Sequence, residues 1–119
     1  MPATPGALLI THQGDVIDID LPTTSGQRLP VMRSVLRCEY VDRRALTSRL
    51  DIWFDEAYLF NYEDEVNEGA TLLARRYLPN ILPLHGPVLV TGGADEDGNT
   101  VPLNRDKLIA LLTAMADAI

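Results

Sequence analysis

Asp55 and Glu56 stand side by side, with Trp53 before them and Tyr58 after. Two carboxylates among aromatic rings are the ingredients of an acid/base pair in a cleft. A glycosidase, however, holds its two carboxylates across the bond it breaks, whereas adjacent residues in a turn diverge. The sequence therefore favours solvated turn charges at these positions. Cys38, the single cysteine, could form a nucleophilic pair with His12 or His85. A lone cysteine closing an amphipathic helix is more often a small buried hydrophobe. One cysteine and two histidines also show no metal-ligand spacing. No catalytic residue, metal or cofactor is expected from these groups.

Asp95, Asp97, Asn99 and Asp106 fall at the first, third, fifth and twelfth positions of a calcium loop. The sixth position, where the loop needs glycine, is Thr100, and the twelfth is not the bidentate glutamate. An acidic hairpin turn with Gly98 at positive φ is the expectation. Gly92-Gly93 follows a strand as a phosphate loop would. Neither GxGxxG nor a Walker lysine follows, and the acidic turn would repel phosphate, so the sequence argues against such a loop.

Charge is unevenly spread. Six arginines lie between residues 27 and 50 against Glu39 and Asp42, whereas residues 51–68 hold seven acids and no base. The arginines could meet nucleic acid, with Tyr40 to stack, but a net charge of −7 sets the molecule's field against it. A solvated helix face with local ion pairs is expected, and a protein partner is favoured over nucleic acid. Candidate binding residues are Arg33, Arg37, Arg43 and Arg44 in the basic part, and Trp53, Asp55, Glu56 and Tyr58 beyond it. The stripe Trp53, Tyr58, Phe60 and Tyr62 reads first as core packing; as a site, Trp53 and one or two of the tyrosines would line a groove for a partner or small ligand.

The elements that must position these groups read as follows. Ala7–His12 and Asp15–Leu21 form a hairpin around Gln13-Gly14, with Ile17, Ile19 and Leu21 inward and Asp18 and Asp20 in water. Gln27–Cys38 is a helix, with Leu29, Met32, Val35 and Leu36 inward, Arg28, Arg33 and Arg37 outward, and Pro30 tolerable only near its start. Glu39–Ala45 and Arg49–Phe54 are strands, the second with Leu50, Ile52 and Phe54 on one face and Asp51, Trp53 and Asp55 on the other. Tyr58, Phe60 and Tyr62 give another alternation.

The centre of the pattern runs from Asn67 to Asn99. Asn67 is placed to cap a helix whose face carries Ala70, Leu73, Ala74, Tyr77 and Leu78, and from the sequence its replacement by Ala is expected to cost about 1 kcal/mol. Pro79 stops the helix. After Gly86, Val88-Leu89-Val90 has no polar alternation and belongs mid-sheet, covered on both faces. Thr100–Leu103 then returns as a strand against Val88–Thr91. Asn104 caps a last helix with Leu108, Leu111, Leu112, Met115 and Ile119 on its apolar face. That face is wider than one sheet contact needs, so a weak homodimer through it is an expectation. The whole is an α+β fold, an antiparallel-rich sheet with about three helices: residues 1–6 a disordered tail, residues 7–119 one domain.

The order Asp55-Glu56, Asn67 with Ala70-Thr71, Gly86 before an apolar strand ending Thr91-Gly92, then Asp97-Gly98 resembles a domain-of-unknown-function family. That family is carried by bacteriophages, plasmids and actinobacteria. The resemblance covers roughly residues 50–103. It departs after Asp55-Glu56, where the family pattern has glycine and this chain has Ala57-Tyr58. It brings no established activity; it implies a small accessory protein from a mobile element.

At 119 residues the chain is long enough to bury a core without staples. The first residues lack the basic region and apolar run of a signal peptide, and no stretch approaches the ~20 apolar residues that span a bilayer. A cytoplasmic protein without membrane contact is expected. Two functions remain: an interaction protein that binds and modulates a host or phage protein, and a small-molecule binder or enzyme with a pocket near Trp53, Asp55 and Tyr58.

Overall fold

Two hairpins are joined side by side by the last strand in the sequence. The computed structural model describes residues 6–22, 24–101, 103 and 105–117. Strands β1 (Gly6–Ile10) and β2 (Val16–Asp20) form the first hairpin, and β3 (Val41–Thr47) and β4 (Leu50–Asp55) the second. Strand β5 (Val88–Gly92) lies between β1 and β4 and pairs antiparallel with both, giving the order β2-β1-β5-β4-β3. Helices α1 (Ser25–Leu36), α2 (Tyr58–Asn61), α3 (Glu68–Arg75) and α4 (Arg105–Asp117) complete the α+β fold.

The sheet is covered on both faces. Ala7, Leu9 and Leu89 point to one side, where Met32 and Leu36 of α1 pack on them. Leu8, Ile10, Ile52, Phe54, Val88 and Val90 point to the other, against Ala70, Leu73 and Ala74 of α3 and Leu111 of α4. This explains why β1 and β5 carry no charge and no polar alternation: every residue in both strands is buried, and the one hydroxyl, on Thr91, is hydrogen-bonded to the Trp53 indole and the Gly92 carbonyl. It also changes the reading of β4. Asp51, Trp53 and Asp55 do not face water, because α1 covers their side of the sheet; Asp51 and Asp55 are buried.

Asn67 caps α3: its side-chain oxygen accepts from the Ala70 N–H at 3.0 Å. The α-helix ends at Arg75, earlier than Pro79 alone requires. One further helical bond, from Leu78 N–H to the Ala74 carbonyl, carries the turn to the residue before the proline.

Other expectations need correction, among them the inward Ile17 of β2, which is exposed. Tyr58, Phe60 and Tyr62 do not alternate in a strand, because α2 turns the chain within one helical step. Asp55 drives the turn: Oδ1 accepts from Ala57 N–H at 2.9 Å and Oδ2 from Asn61 Nδ2 at 2.7 Å. Thr100–Leu103 does not pair with β5, since β1 and β4 already occupy both of its edges. Among the described residues the return makes isolated bridges, Ala94 with Thr100 and Leu103 with Gly6. In α1, Leu29 is exposed rather than inward, and Arg28 turns back on the chain, donating through Nε to the Pro22 carbonyl at 2.8 Å and through its guanidinium to the Thr100 carbonyl. Gly6, expected at the end of a disordered tail, instead opens β1; the rest of that tail, the expected cap Asn104 and the side chains of Leu108, Met115 and Ile119 lie outside the described residues, whereas Ile109 and Leu112 are exposed on α4. No helix among the described residues is long and apolar enough to cross a membrane.

Candidate functional site

A groove of about 1230 Å3 opens at the C-terminal end of α1. Arg33, Arg37 and Cys38 form one wall, the Asp55–Ala57 turn and Asn61 the other, and Glu39 and Tyr40 close one end. Sequence dictates how the walls are held. Helix α1 ends on Arg37 in the left-handed conformation (φ 54°, ψ 51°), a place normally taken by glycine, and the following Cys38 N–H closes the helix on the Arg33 carbonyl at 3.1 Å. The opposite wall is tied down by Asp55 and by Glu56 N–H donating to the Tyr40 carbonyl at 2.9 Å.

Two groups at the groove, the Cys38 thiol and the Tyr62 phenol, are shifted toward their neutral forms. Burial pushes the Cys38 thiol up, nearby Asp55 adds to this, and Arg33 opposes it. Burial likewise raises the Tyr62 phenol, helped by Asp55, Cys38 and Glu65 and opposed by Arg37. A reactive cysteine needs its thiolate stabilised; Cys38 sits in the reverse environment. Neither histidine lines the groove. His12 and His85 flank Tyr62 instead: His12 lies 6.0 Å from its ring, and His85 Nδ1 donates to its carbonyl at 3.0 Å. No nucleophile–base pair is assembled from Cys38.

Of the candidate binding residues, the structure gathers Arg33, Arg37, Asp55 and Glu56 around the groove and places Arg43, Arg44, Trp53 and Tyr58 elsewhere. Arg43 and Arg44 project to opposite faces of β3, Arg43 across from Trp53 and Arg44 across from Ile52. Trp53 packs against the α1 side of the core and donates its indole N–H to Thr91 Oγ1 at 2.9 Å. Tyr58 packs on the other face, edge-on to Phe54 at 5.4 Å. Trp53, Asp55 and Tyr58 therefore share no pocket. Asp55 is not a solvated turn charge but a buried carboxylate with both oxygens engaged, while Glu56 is exposed. In the acidic turn, Asp95 Oδ1 accepts from the N–H groups of Asp97 and Asn99, both at 2.9 Å, and Gly98 has φ 80°. Among the described residues no three His, Cys, Asp or Glu side chains are grouped to hold a metal ion.

Sequence reasoning missed Asn61 and Phe60. Asn61 reaches Asp55 only because α2 is helical, and that helix has no periodicity to announce it. Phe60 reads as core in an alternating stripe, yet it is 88% exposed.

Arg43 serves a structural pair, with its guanidinium 3.1 Å from Asp51. Burial pushes the Asp51 carboxyl up, and Arg43 opposes this without cancelling it. The folded-state pKa is thus raised above the unfolded one, so the fold prefers the protonated acid. Its contribution is fully present below the unfolded carboxylate range and is lost as pH rises through the folded pKa. Asp51→Asn is expected to flatten the fall in urea midpoint that begins near pH 4 and to leave stability at pH 7 equal or higher. A clear loss at pH 7 would show that the ion pair outweighs the burial.

No protein-family model, curated protein or solved structure matches the chain.

Proposed function

We propose that this protein is a stoichiometric interaction module that docks a host or phage protein through the α1–α2 groove and modulates it without doing chemistry. One observation carries the reading. Phe60 projects into water, 88% exposed, from a short helix that the buried Asp55 fixes in place. Binding energy concentrates on a few aromatic and arginine anchors presented by rigid elements. Tyr40, 63% exposed, stands at the end of the groove, with Arg33, Arg37, Glu39 and Glu56 around it. Such charges set association rate and salt sensitivity, whereas aromatics set residence time.

The left-handed Arg37 supports the same face. Glycine would hold that conformation at less cost, so an arginine there trades stability for a guanidinium at the groove. The resemblance to a mobile-element family points to a host or phage protein as the partner. The enzymatic reading is weaker, since the Asp55 oxygens are engaged and the Cys38 thiol is kept protonated.

Capture from host lysate, followed by kinetics on the captured protein, tests the proposal. Phe60→Ser should speed dissociation about tenfold or more. Arg37→Gly should slow association while raising fold stability by up to ~1 kcal/mol. A partner held equally well by both variants would overturn the assignment of this face. Turnover of a metabolite lost in Asp55→Asn or Cys38→Ser would replace it with an enzyme.

A further inference from the structure

Strand β2 is one of the two outer strands of the sheet, and its outer edge carries no neighbouring strand. The bonding of β1 shows which backbone groups of β2 point outward. Gly6 exchanges both backbone bonds with Leu103, on the edge away from β2, and Thr11 N–H donates to the Asp15 carbonyl, on the β2 side. Alternation along an antiparallel pair then turns the backbones of Ala7 and Leu9 toward Ile19 and Ile17. The N–H and C=O groups of Val16, Asp18 and Asp20 consequently point away from the sheet, and none has a partner among the described residues. Pairing of β2 with β1 is in unbroken register over its five residues. The opposite edge differs: β3 has a register shift between Ala45 and Thr47, an irregularity that blunts an edge.

Beside the β2 edge runs an apolar groove of about 650 Å3. Val16, Val66, Leu72 of α3 and Leu112 of α4 line it, and all four are exposed. Val16 pairs with Ile10, whose side chain packs on the α3–α4 side of the sheet, so Val16 looks to that side too. Asp18 and Asp20 share this face with period two, while Ile17 and Ile19 lie on the α1 face. No arginine or lysine lines the groove, and Glu68 adds an acid to it. Neither Asp18 nor Asp20 forms an ion pair among the described residues.

We propose that β2 accepts an added strand: a basic extended segment of a partner protein, bound antiparallel along this edge. In this mode backbone bonds supply affinity and alternate side chains supply selectivity. Residues directly opposite one another share a face. The segment therefore needs an apolar residue opposite Val16, beside the groove, and cations opposite Asp18 and Asp20. β-Branched residues suit the positions opposite Ile17 and Ile19. The acids also disfavour a second copy as the occupant. Two β2 strands paired about a two-fold axis would set acidic edge against acidic edge. β3 offers adjacent rather than alternate arginines, and Arg43 is already held by Asp51. The β2 edge lies across the sheet from β3 and shares no residue with the α1–α2 groove, so the proposal is independent of that docking face.

The probe is a synthetic peptide with the core Lys-Val-Lys-Val-Leu, blocked at both ends, added to isotope-labelled full-length protein. Hydrogen exchange of the amides is read by NMR. In the free protein the amides of Val16, Asp18 and Asp20 should exchange quickly, and those of Ile17 and Ile19 slowly. Saturating peptide should slow Val16, Asp18 and Asp20 by about tenfold or more, as new backbone bonds require. A peptide with Glu in place of both Lys should bind about tenfold or more weakly. Asp18→Lys with Asp20→Lys should reverse that preference. Both side chains are exposed, so the variant should fold. Asp18→Asn with Asp20→Asn, a milder change at the same surface, should remove the preference. Slow exchange at Val16, Asp18 and Asp20 before peptide is added would show the edge already covered and would overturn the proposal. So would binding without new protection there, equal affinity for the two peptides, or no saturation by roughly 5 mM, above the millimolar range of weak binding.

Discussion

Asn67→Ala is expected to bring the protein close to unfolding at 25 °C. The cap bond to Ala70 is the smallest part of the loss. Asn67 is fully buried, and its Nδ2 donates to the carbonyls of Ile10 and Gly86, both at 2.8 Å. Its backbone N–H donates to the Leu84 carbonyl at 2.8 Å, and its own carbonyl receives the Thr71 hydroxyl at 2.7 Å. One side chain thereby fastens β1, α3 and the approach to β5. Alanine forfeits the cap, about 1 kcal/mol, and leaves two buried carbonyls unpaired at roughly 1–3 kcal/mol each. The expected total of about 3–7 kcal/mol is a large share of the 5–15 kcal/mol that holds a typical domain. The urea midpoint should fall steeply with unchanged slope.

Asn67→Asp separates the two roles. It keeps the acceptor that caps the helix but turns a carboxylate oxygen toward two carbonyl oxygens. At pH 7 it should be at least as damaging as alanine, with partial recovery in acid as the aspartate protonates and regains a donor. A loss near 1 kcal/mol in both variants would mean that only the cap matters.

Gly86→Ala is the second large effect. Gly86 has φ 75°, and a Cβ there would lie 2.5 Å from two carbons of the Tyr62 ring. Left-handed backbone costs an L-residue roughly 1–2 kcal/mol, and forcing a packed ring aside adds about 1–3 kcal/mol. Tyr62 cannot retreat freely, because its hydroxyl donates to the Leu36 carbonyl at 3.3 Å and its own carbonyl accepts from His85. A double-mutant cycle with Tyr62→Ala should divide the two terms: in that background Gly86→Ala should cost only the backbone part. Gly14 and Gly98, with φ 98° and 80° and nothing within 4 Å of a Cβ, provide the comparison of backbone cost without a clash. Equal losses at all three glycines would show that the Tyr62 ring gives way.

These two positions also show what the sequence could and could not disclose. Asn67 as a helix cap is a local signal, carried by the residue and the apolar spacing after it. Its grip on Ile10 is not, since nothing near either residue marks the other. β5 was legible because a strand buried on both faces has no polar alternation. The burial of Asp51 and Asp55 was not, because period-two alternation looks the same whether water or a helix covers the polar face. α2 escaped for a similar reason. Its four residues are too few for a helical period, and the carboxylate that folds it lies outside it. The groove joins segments brought together by the β3–β4 hairpin, where Val41 pairs with Asp55; the two hairpins themselves meet through pairing with β5.

That pairing has a consequence for how the protein is made. The strand joining the two hairpins is synthesised after both of them, so neither half can acquire its neighbour until residues 88–92 exist. As the chain leaves the ribosome, β1 and β4 each present an open edge, apolar on the faces that β5 and the helices will later cover. Unpaired strand edges of this kind invite pairing with other nascent chains. The final step closes contacts distant in sequence, which places the protein among slower-folding small domains, in the millisecond-to-second range typical of sheet-dominated topologies. High-level expression should therefore strain assembly of this sheet more than its finished stability.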